Sequence, residues 1–402
     1  MNSIHTSGRQ RTVTAVILPT LASILVLLLT ASCGGGSGDE NLITNGDGLG
    51  KGQVSEGNGP APSVSSGEFI QVDEMKAARQ VHAAVKLSDG RVFVVGGRGP
   101  GANHNNTVYE SAEIYDPVTD EWTLTGEMKD QRHDLCGTLL SDGRVLVAGG
   151  RGKHNIAMGT SEIWDAKSGI WSQTSNLTAE RDYMPCVTLE DGRVLIIGGE
   201  GKEYQLLGSA EIWDPATGEW SETPPMSARR ARHTATLMDD GRVLVTGGGR
   251  IDPPYEKTSE IYDPTTNTWE LVADMSTERA SHVAMKLDDG RVLVVGGKGK
   301  KLTSEVYDPS EGIWIKTGNT EIPHSEAAAA LLGDGTILLT GGIGHRISAE
   351  IFDPVSGEWA RIEDMKDTRY RHQMIVLDSG QVLVIGGNGK EGLLAETELF
   401  NP

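Results

Sequence analysis

The chain has 402 residues, 37% hydrophobic and 5% aromatic, with 52 glycines and 16 prolines. Its formal net charge of −20 makes a surface that repels nucleic acid and anionic lipid, so DNA and RNA binding are set aside. Turns must be frequent, and the length admits either several domains or one long all-β domain built from repeats.

Residues 1–32 read as a targeting segment. Arg9 and Arg11 form a basic start without any acid, and residues 13–29 are apolar apart from Thr14, Pro19, Thr20 and Ser23. Loss of this segment would leave a charge of −22. The run Thr30-Ala31-Ser32-Cys33, followed by three glycines, resembles a bacterial lipoprotein signal, although Thr30 stands where Leu is commonest. That resemblance implies that the Cys33 thiol is diacylated and that Cys33 becomes the new N-terminus. An ordinary cleaved signal peptide and a retained membrane helix are the other readings. Residues 33–66 are rich in Gly, Ser, Asn and Asp and bury too little to order themselves, so they are expected to act as a tether. No acid follows Cys33 directly, which in lipoproteins of two-membrane bacteria implies the outer membrane.

From residue 67 onward the chain repeats. An apolar run ends in a Gly-Gly pair at positions 96–97, 149–150, 198–199, 247–248, 296–297, 341–342 and 386–387, with spacings of 53, 49, 49, 49, 45 and 45. Each unit has a strand, an Asp-Gly turn (Ser379-Gly380 in the seventh), a β-branched strand ending at the glycines and a variable loop. A Glu-x-aromatic-Asp strand and a Trp strand follow. In the first unit these are residues 81–87, Asp89-Gly90, 91–95, 98–110, Glu113-Ile114-Tyr115-Asp116 and Trp122. The Asp-Gly pairs predict two-residue hairpins, and the whole reads as antiparallel all-β.

Paired glycines, a Glu-x-aromatic-Asp-Pro strand and then a Trp resemble the kelch repeat. That resemblance covers residues 67–402 and implies a seven-bladed β-propeller, one blade per repeat. The chain ends on the third strand of the seventh unit, at Leu399-Phe400-Asn401-Pro402, while a spare fourth strand stands first, at residues 68–73, with Phe69 where the other units carry Trp. The N-terminal strand should therefore complete the last blade and bury both edges.

Successive connections in such a blade alternate between the two faces of the disc. The loops after Gly-Gly vary most, and variable loops on a rigid scaffold carry binding sites. Four residues past each repeat's Met lie Arg79, Arg132, Arg181, Arg230, Arg279, His324 and Arg369. These are ligand-binding candidates, suited to carboxylate, phosphate or sulfate. Against that stands Glu113, Glu162, Glu211, Glu260, Glu305, Glu350 and Glu398, one in every third strand, which reads as an ion-pair ring holding the blades. Positions that break the repeat are the further candidates: Tyr183, Arg232, Tyr370 and Arg371, with the loop residues His104, Asn105, His154, Tyr204, Tyr255 and His345. The histidines three residues beyond the Arg positions, His82, His233, His282 and His372, are expected to hydrogen-bond within blades.

Cys136 and Cys186 lie on the first strands of blades two and three, at offsets of 8 and 9 from Met128 and Leu177. With that offset they need not face each other and are expected as small core residues, although export makes a disulfide chemically possible.

The copper galactose oxidases also use a seven-bladed kelch propeller, and the resemblance implies a copper site of two Tyr and two His with a Cys joined to one Tyr. Tyr183, Tyr370, His324 and His372 are the residues that could enter it, but neither cysteine falls in a Tyr-pairing motif. A bacterial kelch sialic-acid epimerase is the other enzyme precedent. No Ser-His-Asp order, phosphate loop or metal-ligand cluster stands out. The sequence therefore points to a monomeric, non-catalytic envelope module that binds a protein or glycan and needs no cofactor, with a sugar-active enzyme as the alternative.

Overall fold

The computed structural model describes residues 67–402 apart from 102–106, 300, 345 and 346. The leader, Cys33, the tether, His104, Asn105 and His345 lie outside the described residues.

Seven four-stranded antiparallel sheets follow one another along the chain. Blade one consists of Ala83–Lys86, Val92–Val95, Ala112–Asp116 and Glu121–Leu124. Blades two to six repeat this order. The first strands of neighbouring blades touch in a closed cycle that returns from Gln373–Val376 of blade seven to Ala83–Lys86. They are the innermost strands of the ring. The second strand, four residues long in every blade, is buried throughout. It is flanked by a neighbouring blade on each face, which is why it reads as an unbroken Val/Leu/Ile run rather than an alternation.

Seven apolar clusters fill the seven junctions between blades. The repeat's Met sits in these seams, as Met128 does between blades one and two and Met365 between six and seven. The paired glycines allow the blades to approach. Gly96 and Gly97 hold φ of +67° and +95°, and a Cβ on Gly96 would meet the Arg132 carbonyl of the next blade at 2.5 Å. The Asp-Gly turns differ from the two-residue hairpins expected. Gly90 donates to the Leu87 carbonyl and Leu87 to the Arg91 carbonyl. Ser88-Asp89-Gly90 is therefore a three-residue loop with its Gly in the left-handed region, the next commonest hairpin solution.

Blade seven is closed as expected. Glu68–Val72 pairs antiparallel with Thr397–Asn401, placing Phe69 opposite Phe400 with ring centroids 4.8 Å apart. The next residue, Asp73, accepts the Trp122 backbone N–H at 3.0 Å and the indole N–H at 3.1 Å, so the seam is also tied to blade one.

Cys136 and Cys186 correct the sequence reading, because they form a disulfide with a Cα separation of 5.7 Å. Successive strand residues point to opposite faces. An even offset in one blade faces forward, and an odd offset in the next blade faces back. Thr138 and Thr188, two residues further along each strand, meet at 2.7 Å in the same way. The offset of 8 against 9 is thus what brings the thiols together.

Phe69 fills the seam between blades six and seven. Phe69→Ala is expected to lower the stability of the ring by about 3–5 kcal/mol in denaturant unfolding. Leu124→Ala, on the equivalent exposed strand of blade one, should change it little.

Candidate functional site

The first set of candidates is buried. Arg79, Arg132, Arg181, Arg230, Arg279 and Arg369 are each 0% exposed and His324 is 1% exposed. Every guanidinium meets the Glu of its own blade: Arg79–Glu113 at 2.6 Å, Arg132–Glu162 at 2.9 Å, Arg181–Glu211 at 2.5 Å, Arg230–Glu260 at 2.6 Å, Arg279–Glu305 at 3.1 Å and Arg369–Glu398 at 2.5 Å. The same side chain donates to the carbonyl of the first paired glycine, as Arg230 does to Gly247 at 2.8 Å. His324 makes both contacts through its two ring nitrogens, to Gly341 O at 2.7 Å and Glu350 at 2.9 Å. The Glu in turn accepts backbone N–H groups just past the Met, as Glu260 does from Ser227 at 2.7 Å. These seven residues are pins that hold each blade's entry segment to its third strand. They present nothing to a ligand. Removing one partner leaves the other charge buried alone, so Arg230→Met should cost about 3–5 kcal/mol in unfolding experiments.

Two residues further on lies a second ring, partly buried around the axis. Val81, Asp134, Tyr183, Arg232, Ser281, Glu326 and Arg371 all hold φ between +50° and +56°. Their backbones form a belt. Asp134 N donates to Val81 O at 3.0 Å, Arg232 N to Tyr183 O at 2.9 Å and Ser281 N to Arg232 O at 2.9 Å. Glu326 N donates to Ser281 O at 3.1 Å, Arg371 N to Glu326 O at 2.9 Å and Val81 N to Arg371 O at 3.4 Å. The left-handed conformation suits glycine and disfavours bulky side chains, Val most of all. The chain uses glycine at positive φ in many places, yet none of the seven belt residues is Gly. Five of them, Val81, Asp134, Tyr183, Glu326 and Arg371, line a cavity of about 270 Å³ at the axial mouth.

Unlike residues at equivalent positions give this mouth a local chemistry. Arg232 lies over the Tyr183 ring, 3.7 Å from its centroid, and pairs with Glu200. Arg151 joins Asp182 and Glu200 and lies 4.5 Å from the Tyr204 centroid. Burial pushes the Asp182 carboxyl up to about 7 despite the adjoining Arg151 guanidinium. Burial also pushes the Tyr183 phenol up to about 12. Arg371 pairs with Glu326, with Tyr370 beside it at 5.7 Å.

Of the candidates chosen where the repeats disagree, the structure thus brings Tyr183, Arg232 and Arg371 onto one belt. Tyr204 joins them from its loop and is bonded to Asn155 at 2.9 Å. Tyr255 sits in the blade-four loop, bonded to Ile251 O, and His154 is exposed in the blade-two loop. Asp134, Glu326, Arg151, Asp182 and Glu200 belong to the site and were missed. A count of six past each Met would have found the belt, but its seven residues share a backbone conformation and no side-chain type.

The four histidines pack between blades rather than within them. His282 meets Thr246 and Thr234 of the preceding blade through Nε2, and His372 meets Thr340 in the same way. In the blades preceding His82 and His233 that repeat position is held by Ile385 and Ile197, and among the described residues neither ring nitrogen of these two has a partner. Burial holds His82 and His282 down to about 3, and His233 and His372 well below the ordinary range. Imidazoles whose folded value is depressed support the fold fully above about pH 6.5. That support is lost as the pH falls from there toward 3, because the unfolded chain binds protons the folded chain refuses. Stability measured by denaturant at stepped pH should fall through that window, and His282→Gln should flatten the fall.

Segments 81–129, 184–227 and 229–276 match the kelch motif. The fold is a kelch-type β-propeller. Residues along 96 positions are 31% identical to a kelch-like protein of Aspergillus terreus, covering 23% of this chain. The chain spans about a fifth of that relative's length. Among solved structures, a fungal alcohol oxidase of the AA5 family, in complex with copper, superposes with a TM-score of 0.69 over 84% of this chain and 76% of its own, at 18% identity. That likeness concerns the fold. The residues imagined for copper do not fit it: His324 is taken by Glu350 and Gly341, His372 by Thr340, and the two propeller cysteines by each other. Among the described residues no group of three or more His, Cys, Asp or Glu side chains is placed to hold a metal ion.

Proposed function

We propose that this chain is a binding module of the cell envelope, exported, lipid-anchored through Cys33, and directed at a protein or glycan by the variable-loop face of its propeller. The belt carries this reading. Seven positions at positive φ carry six kinds of side chain where glycine would be easier, and five of them line the cavity at the axial mouth on that face. A scaffold that needed only closure would not do this.

The surrounding crest supports the same face. The loops of blades two to six each expose one large apolar residue: Ile156 at 58%, Tyr204 at 51%, Ile251 at 57%, Leu302 at 37% and Ile343 at 45%. Tyr and Arg at the centre with apolar residues around them is the composition of binding hot spots. The Cys136–Cys186 disulfide supports export, since such bonds persist in oxidising compartments. The leader and Cys33 support the anchor.

A glycan array and cross-linking on intact envelopes test this reading. The triple variant Ile156→Ser, Tyr204→Ser, Ile251→Ser should lose its ligand at least about tenfold, as hot-spot loss does. Val118→Ser with Val355→Ser, exposed on the opposite face, should keep it. The reverse outcome would move the function to the other face. Palmitate incorporation that persists in Cys33→Ala would remove the anchor.

A further inference from the structure

The charges around the mouth do not all find partners. Glu326 is held by Arg371, Glu200 by Arg151 and Arg232, and Asp182 by Arg151. Asp134 differs. Its side chain is 8% exposed, and its one ion-pair contact is the His133 Nδ1 at 2.6 Å. Burial lowers the His133 pKa, so this imidazole is neutral at physiological pH and gives Asp134 a hydrogen bond without a countercharge. Among the described residues no Arg or Lys forms a salt bridge with Asp134. Arg371 is paired with Glu326 and attracts Asp134 only at longer range, and a carboxylate nine-tenths enclosed with no cation paired to it is costly unless something positive completes it.

A second observation lies in the same cavity. His82 lines it beside Asp134. It is 3% exposed, and neither of its nitrogens has a partner. Its pKa is depressed to about 3, so it is a neutral ring with a free acceptor nitrogen. Glu326 lines the cavity as well. The guanidinium groups at the rim are already committed to Glu326 and Glu200. An incoming anion would have to displace one of those carboxylates, against the field of a molecule carrying −20. A cation is drawn by that overall charge and can meet Asp134 without breaking a salt bridge to Arg or Lys.

We propose that the axial mouth binds a primary ammonium group, with Asp134 as its countercharge and His82 as an acceptor. An ammonium brings three donors and no acceptor, matching a wall of carboxylate and unprotonated imidazole. The inference rests on the loop-face reading and gives that site its ligand chemistry. The ammonium can arrive on a lysine side chain of a partner protein or on a free amine, and the probes below separate the two.

The full-length chain in detergent micelles is titrated calorimetrically with n-butylamine and with acetyl-Gly-Lys-Gly-amide. Butyrate and n-butanol serve as controls. Both amines should bind, more weakly at high salt, and the controls should not. Tighter binding of the peptide assigns the site to a partner's lysine, and tighter binding of butylamine to a free amine. Asp134→Asn should weaken binding at least about tenfold, the size of a charge-assisted hydrogen bond, with the melting temperature unchanged. Asn tolerates the +50° φ of this position at least as well as Asp. Asp134→Gly, easier still there, gives a second reading if Asn disturbs the fold. Asp89→Asn, exposed on the opposite face, should bind as the parent does. Equal binding of butanol and butylamine, no amine binding, or full affinity in both Asp134 variants would overturn the proposal. If amines fail while the crest variants still abolish ligand capture, the ammonium falls and the loop-face reading stands.

Discussion

A guanidinium–carboxylate pair out of reach of water recurs in six blades of this ring, and everything else in the structure is arranged around it. The pair does more than cancel two charges. The Arg also reaches the carbonyl of the first paired glycine, and the Glu collects backbone N–H groups from the segment entering the blade. Entry segment, second strand and third strand are thereby joined at one point. Such pairs add little net stability over a well-packed apolar isostere, but a half-pair is severely unfavourable. Their effect is to exclude other arrangements of the entry segment. Blade six shows what must be conserved physically. His324 has a shorter side chain and a different charge state, yet its two ring nitrogens reproduce both contacts of the Arg.

Locking the entry segment sets the belt two residues later. Each entry segment turns from its pin onto the innermost strand through a left-handed residue, and the belt's hydrogen bonds pass from blade to blade around the axis. Scaffold and side-chain chemistry then use separate parts of the same residues. The backbone satisfies the ring, so side chains are free to differ without loosening it. The disfavoured conformation costs about 1–2 kcal/mol for a non-glycine residue, and the packed ring absorbs that cost. The variation at Val81, Asp134, Tyr183, Arg232, Ser281, Glu326 and Arg371 is therefore informative in a way that variation on an open loop would not be.

Much of this was legible in the residues. Paired glycines in seven units, Asp-Gly turns in six and the single displaced Phe69 strand specify blade number, strand order and closure, because each is a local signal. The buried ion pairs were legible as well, since seven Glu accompany six Arg and one His. Two features were not. For the disulfide, an offset of 8 against 9 reads along one strand as a mismatch, whereas side chains that meet across a junction come from positions that differ by an odd step. The belt was invisible because its common property is φ, which leaves no mark on residue type when the fold forces it on Val, Asp, Tyr, Arg, Ser and Glu alike. Tyr183, Arg232 and Arg371 stand out as breaks in the repeat, whereas Asp134 and Glu326 are acids in an acidic chain and carry no such mark.

The histidines show how the ring handles a polar group it cannot pair. Where the preceding blade ends its second strand in Thr, as at Thr246 and Thr340, the imidazole finds a hydroxyl. Where it ends in Ile, as at Ile197 and Ile385, the imidazole stays neutral and unpartnered. His233 lies in an ordinary seam, and its unpaired nitrogens are a packing cost. In the blade preceding His82 that position is held by Ile385 in the same way, but His82 borders the axial cavity. That opening gives its free acceptor access to whatever occupies the mouth. The same local frustration is thus inert in one seam and open to the axial cavity in another, beside Asp134, with which no Arg or Lys among the described residues forms a salt bridge.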